Sequence, residues 1–245
     1  ANQGANLVIL PEYFCIMGQH DTDKVAVAED YRASTPDAST PIQLFLQQQA
    51  IQHGIYLIGG TLPLKTTDAD KVYNTTLVYA PDGAVVARYD KIHLFGFQNG
   101  LEYYDESTTI MAGELAQAPV VWDSPWGRIG LSICYDVRFP EFFRAQLPFD
   151  VMMLPAAFTH TTGQAHWELL LRARAVENQC YVLASGQGGV HESGRQTWGQ
   201  SMLIDPWGNI VNQLANHEGV VVADIDTQKV QSVRSKLPAL RHRCL

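Results

Sequence analysis

Short apolar runs of four to seven residues, each broken by Gly, Pro or Asp, alternate with a few longer stretches of helical spacing. Leu7-Val8-Ile9-Leu10 is fully apolar and is stopped by Pro11, which predicts a buried strand. Pro41 to His53 carries Ile42, Phe45, Leu46 and Ile51 at helical spacing and meets Gly54, a helix with a glycine stop. Ile55 to Thr61 predicts a strand. Val72–Tyr79 and Ala84–Tyr89 predict a hairpin across Pro81-Asp82-Gly83. Residues 90–113 and 186–199 read as irregular, the second as a glycine-rich loop, and residues 18–40 as a long loop with at most a helical turn. Pro119–Asp123 and Arg128–Ile133 predict a second hairpin, and Ser201–Asp205 and Ile210–Leu214 a third, each across a Pro-Trp-Gly turn. Helices are expected at Pro140–Leu147, His166–Gln179 and Thr227–Ser235, the last capped by Asp226. Strands are expected at Val151–Leu154, Tyr181–Ser185 and Val220–Ile225. Strand and helix alternate while several strand pairs close through tight turns, so the pattern argues for mixed sheets in a layered α/β domain and against a parallel barrel. With no linker, repeat or low-complexity segment, residues 1–245 read as one domain. Ala1 to Asn6 resembles the tail of a helix with a glycine stop, so a preceding strand and most of a helix are expected upstream.

Composition narrows the class. The chain is 46% hydrophobic, ample for a core, and has a formal net charge of −8. No long basic run recommends nucleic acid or an anionic membrane as a partner. No apolar stretch approaches the roughly 20 residues that span a bilayer. Four cysteines, at 15, 134, 180 and 244, show neither metal-site spacing nor the density of a disulfide scaffold, and read as free thiols of a reducing, cytoplasmic setting.

Three chemically capable residues follow the ends of apolar strands: Glu12, Lys91 and Cys134. Ligands of open sheets collect where strands end. Cys134 closes the run Ile129–Ile133 at a strand-to-helix corner, where backbone N–H groups can stabilise a thiolate or an oxyanion. Glu12 can take the thiol proton and return it to a leaving amine. Lys91 can lower the thiol pKa from about 8.5 and stabilise a tetrahedral intermediate. The structural alternatives are a packed core cysteine and two solvated loop charges.

The segments Leu10-Pro11-Glu12, Tyr89-Asp90-Lys91-Ile92-His93-Leu94 and Cys134-Tyr135-Asp136-Val137-Arg138-Phe139-Pro140-Glu141 together resemble the nitrilase superfamily of carbon–nitrogen hydrolases over essentially the whole chain. The resemblance implies a four-layer α-β-β-α sandwich, a Glu-Lys-Cys triad, a thioester intermediate, no metal or organic cofactor, and a homodimer or higher homo-oligomer. It implies a second glutamate after the lysine. Glu106, in Asp105-Glu106-Ser107, is the candidate and Glu102 its competitor. It also implies an oxyanion hole built from Lys91 and the backbone N–H of Tyr135.

Pro155-Ala156-Ala157-Phe158, Ala165-His166-Trp167-Glu168, Arg172 to Tyr181, Asp205-Pro206-Trp207-Gly208 and Leu237 to Arg243 are similar to the Nit-type amidases, and among them to the deaminated glutathione amidases. That similarity implies a small carboxylated amide as substrate, with Arg138 pairing a carboxylate and Phe158 and Thr162 lining the pocket. An ω-amidase acting on 2-oxoglutaramate is the nearest rival, and an inactive or binding-only protein the other. Arg138 has a structural alternative as partner of Glu141 or Asp136. Arg172 and Arg174 read as structural salt-bridge residues, Trp167 as core, His93 and His166 as structural, and Cys15 as a packed thiol. Phe95 to Tyr104 departs from the pattern of these amidases at a stretch expected to border the pocket.

Overall fold

The computed structural model describes residues 1–244, and they form two compact units. The first comprises Ala1–Ala118 with His191–Arg195, the second Pro119–Val190 with Gln196 onward.

In the first unit β1 (Leu7–Ile9) is followed by a short α1 (Asp23–Ala26), α2 (Pro41–His53), β2 (Tyr56–Ile58), β3 (Leu62–Lys65), β4 (Val72–Tyr79) and β5 (Val85–Asp90). β4 is the spine of a five-stranded sheet. One edge of it takes β2 and β3 in turn, and the other takes β5, all antiparallel, while β1 lies parallel to β2. α2 begins at a proline and ends on Gly54 in the left-handed conformation. Its Leu46 and Ala50 pack onto Leu57, Leu62, Leu64, Leu77 and Tyr79, all buried. The start of α2 has a cause the local sequence hides. Buried Glu29 accepts from the N–H groups of Ile42 and Gln43, so a carboxylate from the preceding loop caps the positive end of the helix. Residues 90–113 are less irregular than expected. β6 (Gly96–Gln98) and β7 (Tyr103–Asp105) form a hairpin, followed by a 3₁₀ turn at Glu106–Thr108.

The second unit holds β8 (Val121–Ser124), β9 (Gly127–Leu131), α3 (Pro140–Gln146), β10 (Val151–Ala156), α4 (His160–Asn178), β11 (Tyr181–Gly186), β12 (Gly188–Val190), β13 (Gln196–Trp198), β14 (Met202–Ile204), β15 (Ile210–Gln213) and α5 (Thr227–Lys236). Its six-stranded sheet runs β15-β14-β11-β10-β9-β8, with β9, β10 and β11 parallel and the outer pairs antiparallel. Both units thus carry mixed sheets, as the hairpin-rich pattern implies.

Three expectations need correction here. α4 starts six residues earlier than its apolar spacing suggests. Thr159 Oγ1 accepts from the Thr162 N–H, and Gly163 lets Trp198 pack where a Cβ would stand 2.2 Å from the Trp198 Cβ. A tertiary contact therefore outweighs the weak helix propensity of Thr and Gly. Residues 186–199 contain the β12–β13 hairpin rather than a loop throughout. Residues 220–225 make no ladder. The apolar run suits a pleated surface, but a strand also needs an edge to pair with, and Val220 is left 75% exposed.

Candidate active site

Sheet direction explains why distant residues meet in the first unit. β1 is parallel to β2, β2 antiparallel to β4, and β4 antiparallel to β5, so β1 and β5 end at the same rim and β4 begins there. Glu12 follows β1, Lys91 follows β5, and Asn74 is the third residue of β4. The Lys91 ammonium is fully buried and donates to Glu12 Oε1 at 3.0 Å and to Glu106 Oε1 and Oε2 at 3.0 and 2.8 Å. Glu12 is 1% exposed and also accepts from Asn74 Nδ2 at 2.8 Å. The β6–β7 hairpin returns the chain so that Glu106 Oε2 accepts from the Phe95 N–H at 2.8 Å. Glu102, the competitor, sits in that hairpin and binds Asn99 instead. A buried ammonium between two carboxylates is stable only while all three stay paired.

Two members of this cluster escaped the reading of the sequence. Asn74 orients Glu12, and Tyr13 OH accepts from the same Asn74 amide at 3.2 Å. Burial, reinforced by the charges of Glu106 and Glu12, holds the Tyr13 phenol well above its ordinary range, so it stays a neutral hydroxyl. The signal for Asn74 was present, an amide inside the otherwise apolar and threonine-rich run of β4. Tyr13 has φ 54°, a left-handed value rare for an aromatic residue, at the corner that presents Glu12. Gly60 braces that corner. It has φ +56°, and a Cβ there would stand 2.1 Å from the Pro11 carbonyl oxygen. Gly60→Ala is therefore expected to lower the urea midpoint by the equivalent of about 2 kcal/mol and to reduce turnover, because relief of the clash displaces the residue before Glu12.

In the second unit Cys134 opens a 3₁₀ turn, Cys134–Arg138, just beyond β9. It is buried, with φ 46°. Strained non-glycine corners of this kind cluster at functional sites. The turn is well held. Asp136 accepts from the Ile133 N–H at 2.8 Å, and Arg174 Nε donates to the Val137 carbonyl at 2.8 Å. Because β9 and β10 are parallel, Phe158, two residues past β10, emerges at the same end of the sheet as Cys134. The Arg138 guanidinium lies over the rings of Phe158 (5.4 Å) and Tyr135 (5.8 Å). It has no carboxylate partner among the described residues. Its Nη1 is 3.3 Å from His166 Nδ1, which must accept because a guanidinium only donates. Neither Glu141 nor Asp136 pairs with Arg138. Thr162 is buried in the first turn of α4 and shares a hydrogen bond with Thr159. Arg172 and Arg174 pair with Glu168 and Glu177, and Trp167 is core.

Neither Cys15 nor Cys180 has the left-handed φ of Cys134. Cys15 is packed beside the α2 cluster, and burial pushes its pKa up to about 12; burial raises Cys180 as well. Both bind their proton more tightly folded than unfolded. Their contribution to stability is complete below the unfolded thiol value, about 8.5, and is lost as pH rises from there toward the folded values. Urea midpoints are expected to fall as pH is raised above about 9. Substituting Ala at position 15 should flatten that decline.

Compared with known proteins, residues 1–235 match the family model Carbon-nitrogen hydrolase. The chain belongs to this family. It is 42% identical over 98% of its length to the deaminated glutathione amidase of Synechocystis, of which it covers 87%. It is 38% identical over 99% of its length to the mouse omega-amidase NIT2, of which it covers 84%. The Caenorhabditis elegans NitFhit crystal structure superposes with a TM-score of 0.85 at 38% identity over 99% of this chain, which spans 58% of that longer protein. A carbon–nitrogen hydrolase fold accounts for both mixed sheets. No helix among the described residues is long and apolar enough to cross a membrane.

Proposed function

We propose that this carbon–nitrogen hydrolase is a cysteine amidase acting on a small carboxylated amide through a thioester, with Glu12, Lys91, Glu106 and Cys134 as its machinery. The observation that carries the reading is the fully buried Lys91 ammonium bound to both Glu12 and Glu106. A cell has little use for such a costly cluster unless it holds a proton carrier and a cation in fixed register. In the proposed cycle Cys134 Sγ adds to the amide carbonyl and its proton passes to Glu12. Lys91 and the Tyr135 N–H stabilise the oxyanion. The carbon–nitrogen bond breaks, and Glu12 returns the proton to the departing nitrogen. Water, deprotonated by Glu12, then cleaves the thioester to the acid and restores the thiol. Glu106 holds Lys91 in place.

Arg138 supports a carboxylated substrate, since it is a half-buried guanidinium with aromatic walls and no acidic partner among the described residues. The Synechocystis relative favours deaminated glutathione. The mouse relative, nearly as similar, favours 2-oxoglutaramate as the second reading. The same proposal carries Phe158 and Thr162 as pocket residues, a homodimer or higher homo-oligomer, and a cytoplasmic setting. The test is turnover of deaminated glutathione, 2-oxoglutaramate and a matched nitrile. Preference for deaminated glutathione supports the first reading, preference for 2-oxoglutaramate the second, and turnover of the nitrile alone overturns both.

A further inference from the structure

Lys24, in α1, plays no part in the cycle above, yet it sits against the cluster. Its side chain is only 12% exposed. Nζ donates one hydrogen bond, 3.3 Å to Thr109 Oγ1, and stands 5.5 Å from the centre of the Tyr13 ring. Tyr13 directly follows Glu12. The Thr109 N–H donates to the Glu106 carbonyl at 3.2 Å. The ammonium is therefore wedged between the two segments that carry the carboxylates of the cluster. Asp21 Oδ1 is 3.9 Å away, beyond hydrogen-bond reach, on a side chain 65% exposed. An ammonium has three donors, and one shielded from water calls for an anion.

The surrounding charges point the same way. Burial lowers the proton affinity of Lys24, and Asp21 and Glu106 raise it again, while Arg195 and Lys91 oppose it. Arg195 lies 5.2 Å over the Tyr104 ring, and its charge acts on Lys24 and Tyr13 alike. Lys24, Lys91 and Arg195 thus share one field on the side of Glu106, where an incoming carboxylate would be held.

We propose that Lys24 is a substrate-binding residue that determines specificity, its ammonium receiving the 2-oxo acid carboxylate of the amide substrate beside the Lys91–Glu106 pair, which leaves Arg138 to the second carboxylate that deaminated glutathione carries. This rests on the amidase reading for its substrate, but the binding itself can be measured without turnover. Lys24→Met and Lys24→Arg are compared with the wild type on 2-oxoglutaramate and on its methyl ester, which keeps the amide and loses the charge. The binding of 2-oxoglutarate, a dicarboxylate of the same length, is followed by calorimetry. The Met variant is expected to lose about ten- to a hundredfold more kcat/KM on the acid than on the ester, mainly through KM, and to bind 2-oxoglutarate more weakly by a similar factor. The Arg variant should fall between the two. Equal losses on acid and ester, unchanged 2-oxoglutarate affinity in the Met variant, or no 2-oxoglutarate binding by the wild type would each overturn the inference. Should the wild type bind 2-oxoglutarate through Lys24 yet cleave no amide, the amidase reading fails and the assignment of Lys24 stands.

Discussion

Lys91→Met is expected to cost both stability and turnover, with the larger structural penalty of any single change in the cluster. The substitution keeps the volume and removes the charge. Glu12, 1% exposed, and Glu106 then lose the ammonium that lies 3.0 and 2.8 Å from them. Breaking a buried ion pair from one side costs about 3–5 kcal/mol, because the stranded charge has no water to turn to. The urea midpoint should fall by that equivalent, and amide turnover should vanish. Adding Glu12→Gln removes one stranded charge, and its amide can still accept from Asn74. The double variant is expected to recover about 1–2 kcal/mol without recovering activity. Such a non-additive pair separates electrostatic stranding from a packing defect. A Lys91→Met protein as stable as the wild type would show that the cluster is not held by charge.

Cys134→Ala is expected to give the opposite signature. Turnover should drop by about 10⁴-fold or more, the scale seen when a covalent nucleophile is deleted. Stability should change by only about 1 kcal/mol, because the side chain removed is small and the turn stays clamped by Asp136 and Arg174. The left-handed φ of 46° remains with Ala, so no strain is released. Circular dichroism and urea melts beside the turnover assay check the contrast with Lys91→Met. Loss of fold in the Ala variant would mean that Cys134 is chiefly a core residue.

The strands that end at Glu12, Lys91 and Cys134 were legible because each is a short apolar run with a hard stop, and the same holds for α2 with its Gly54. The choice of Glu106 over Glu102 rested on a motif, and the β6–β7 hairpin supplies its physical basis: it turns the chain back so that the later glutamate reaches Lys91. What stayed hidden was non-local. Glu29 caps a helix from 13 residues upstream, Asn74 orients Glu12 across 62 residues, and the first turn of α4 depends on Trp198 fitting against Gly163. Local spacing does not encode such contacts. The run at 220–225 failed in the other direction: its apolar composition suits a strand, yet it makes no ladder.

The central claim is that the Glu12–Lys91–Glu106 cluster serves the thiol of Cys134. Intact-mass spectrometry of protein quenched during turnover of the carboxylated amide tests it most directly, with peptide mapping and with Glu12→Gln as the slowed variant. The account predicts an adduct of the acyl mass, confined to the peptide bearing Cys134, that builds up or persists when Glu12 can no longer activate water. Turnover with no adduct in either protein, or an adduct on Cys15, Cys180 or Cys244, would contradict it.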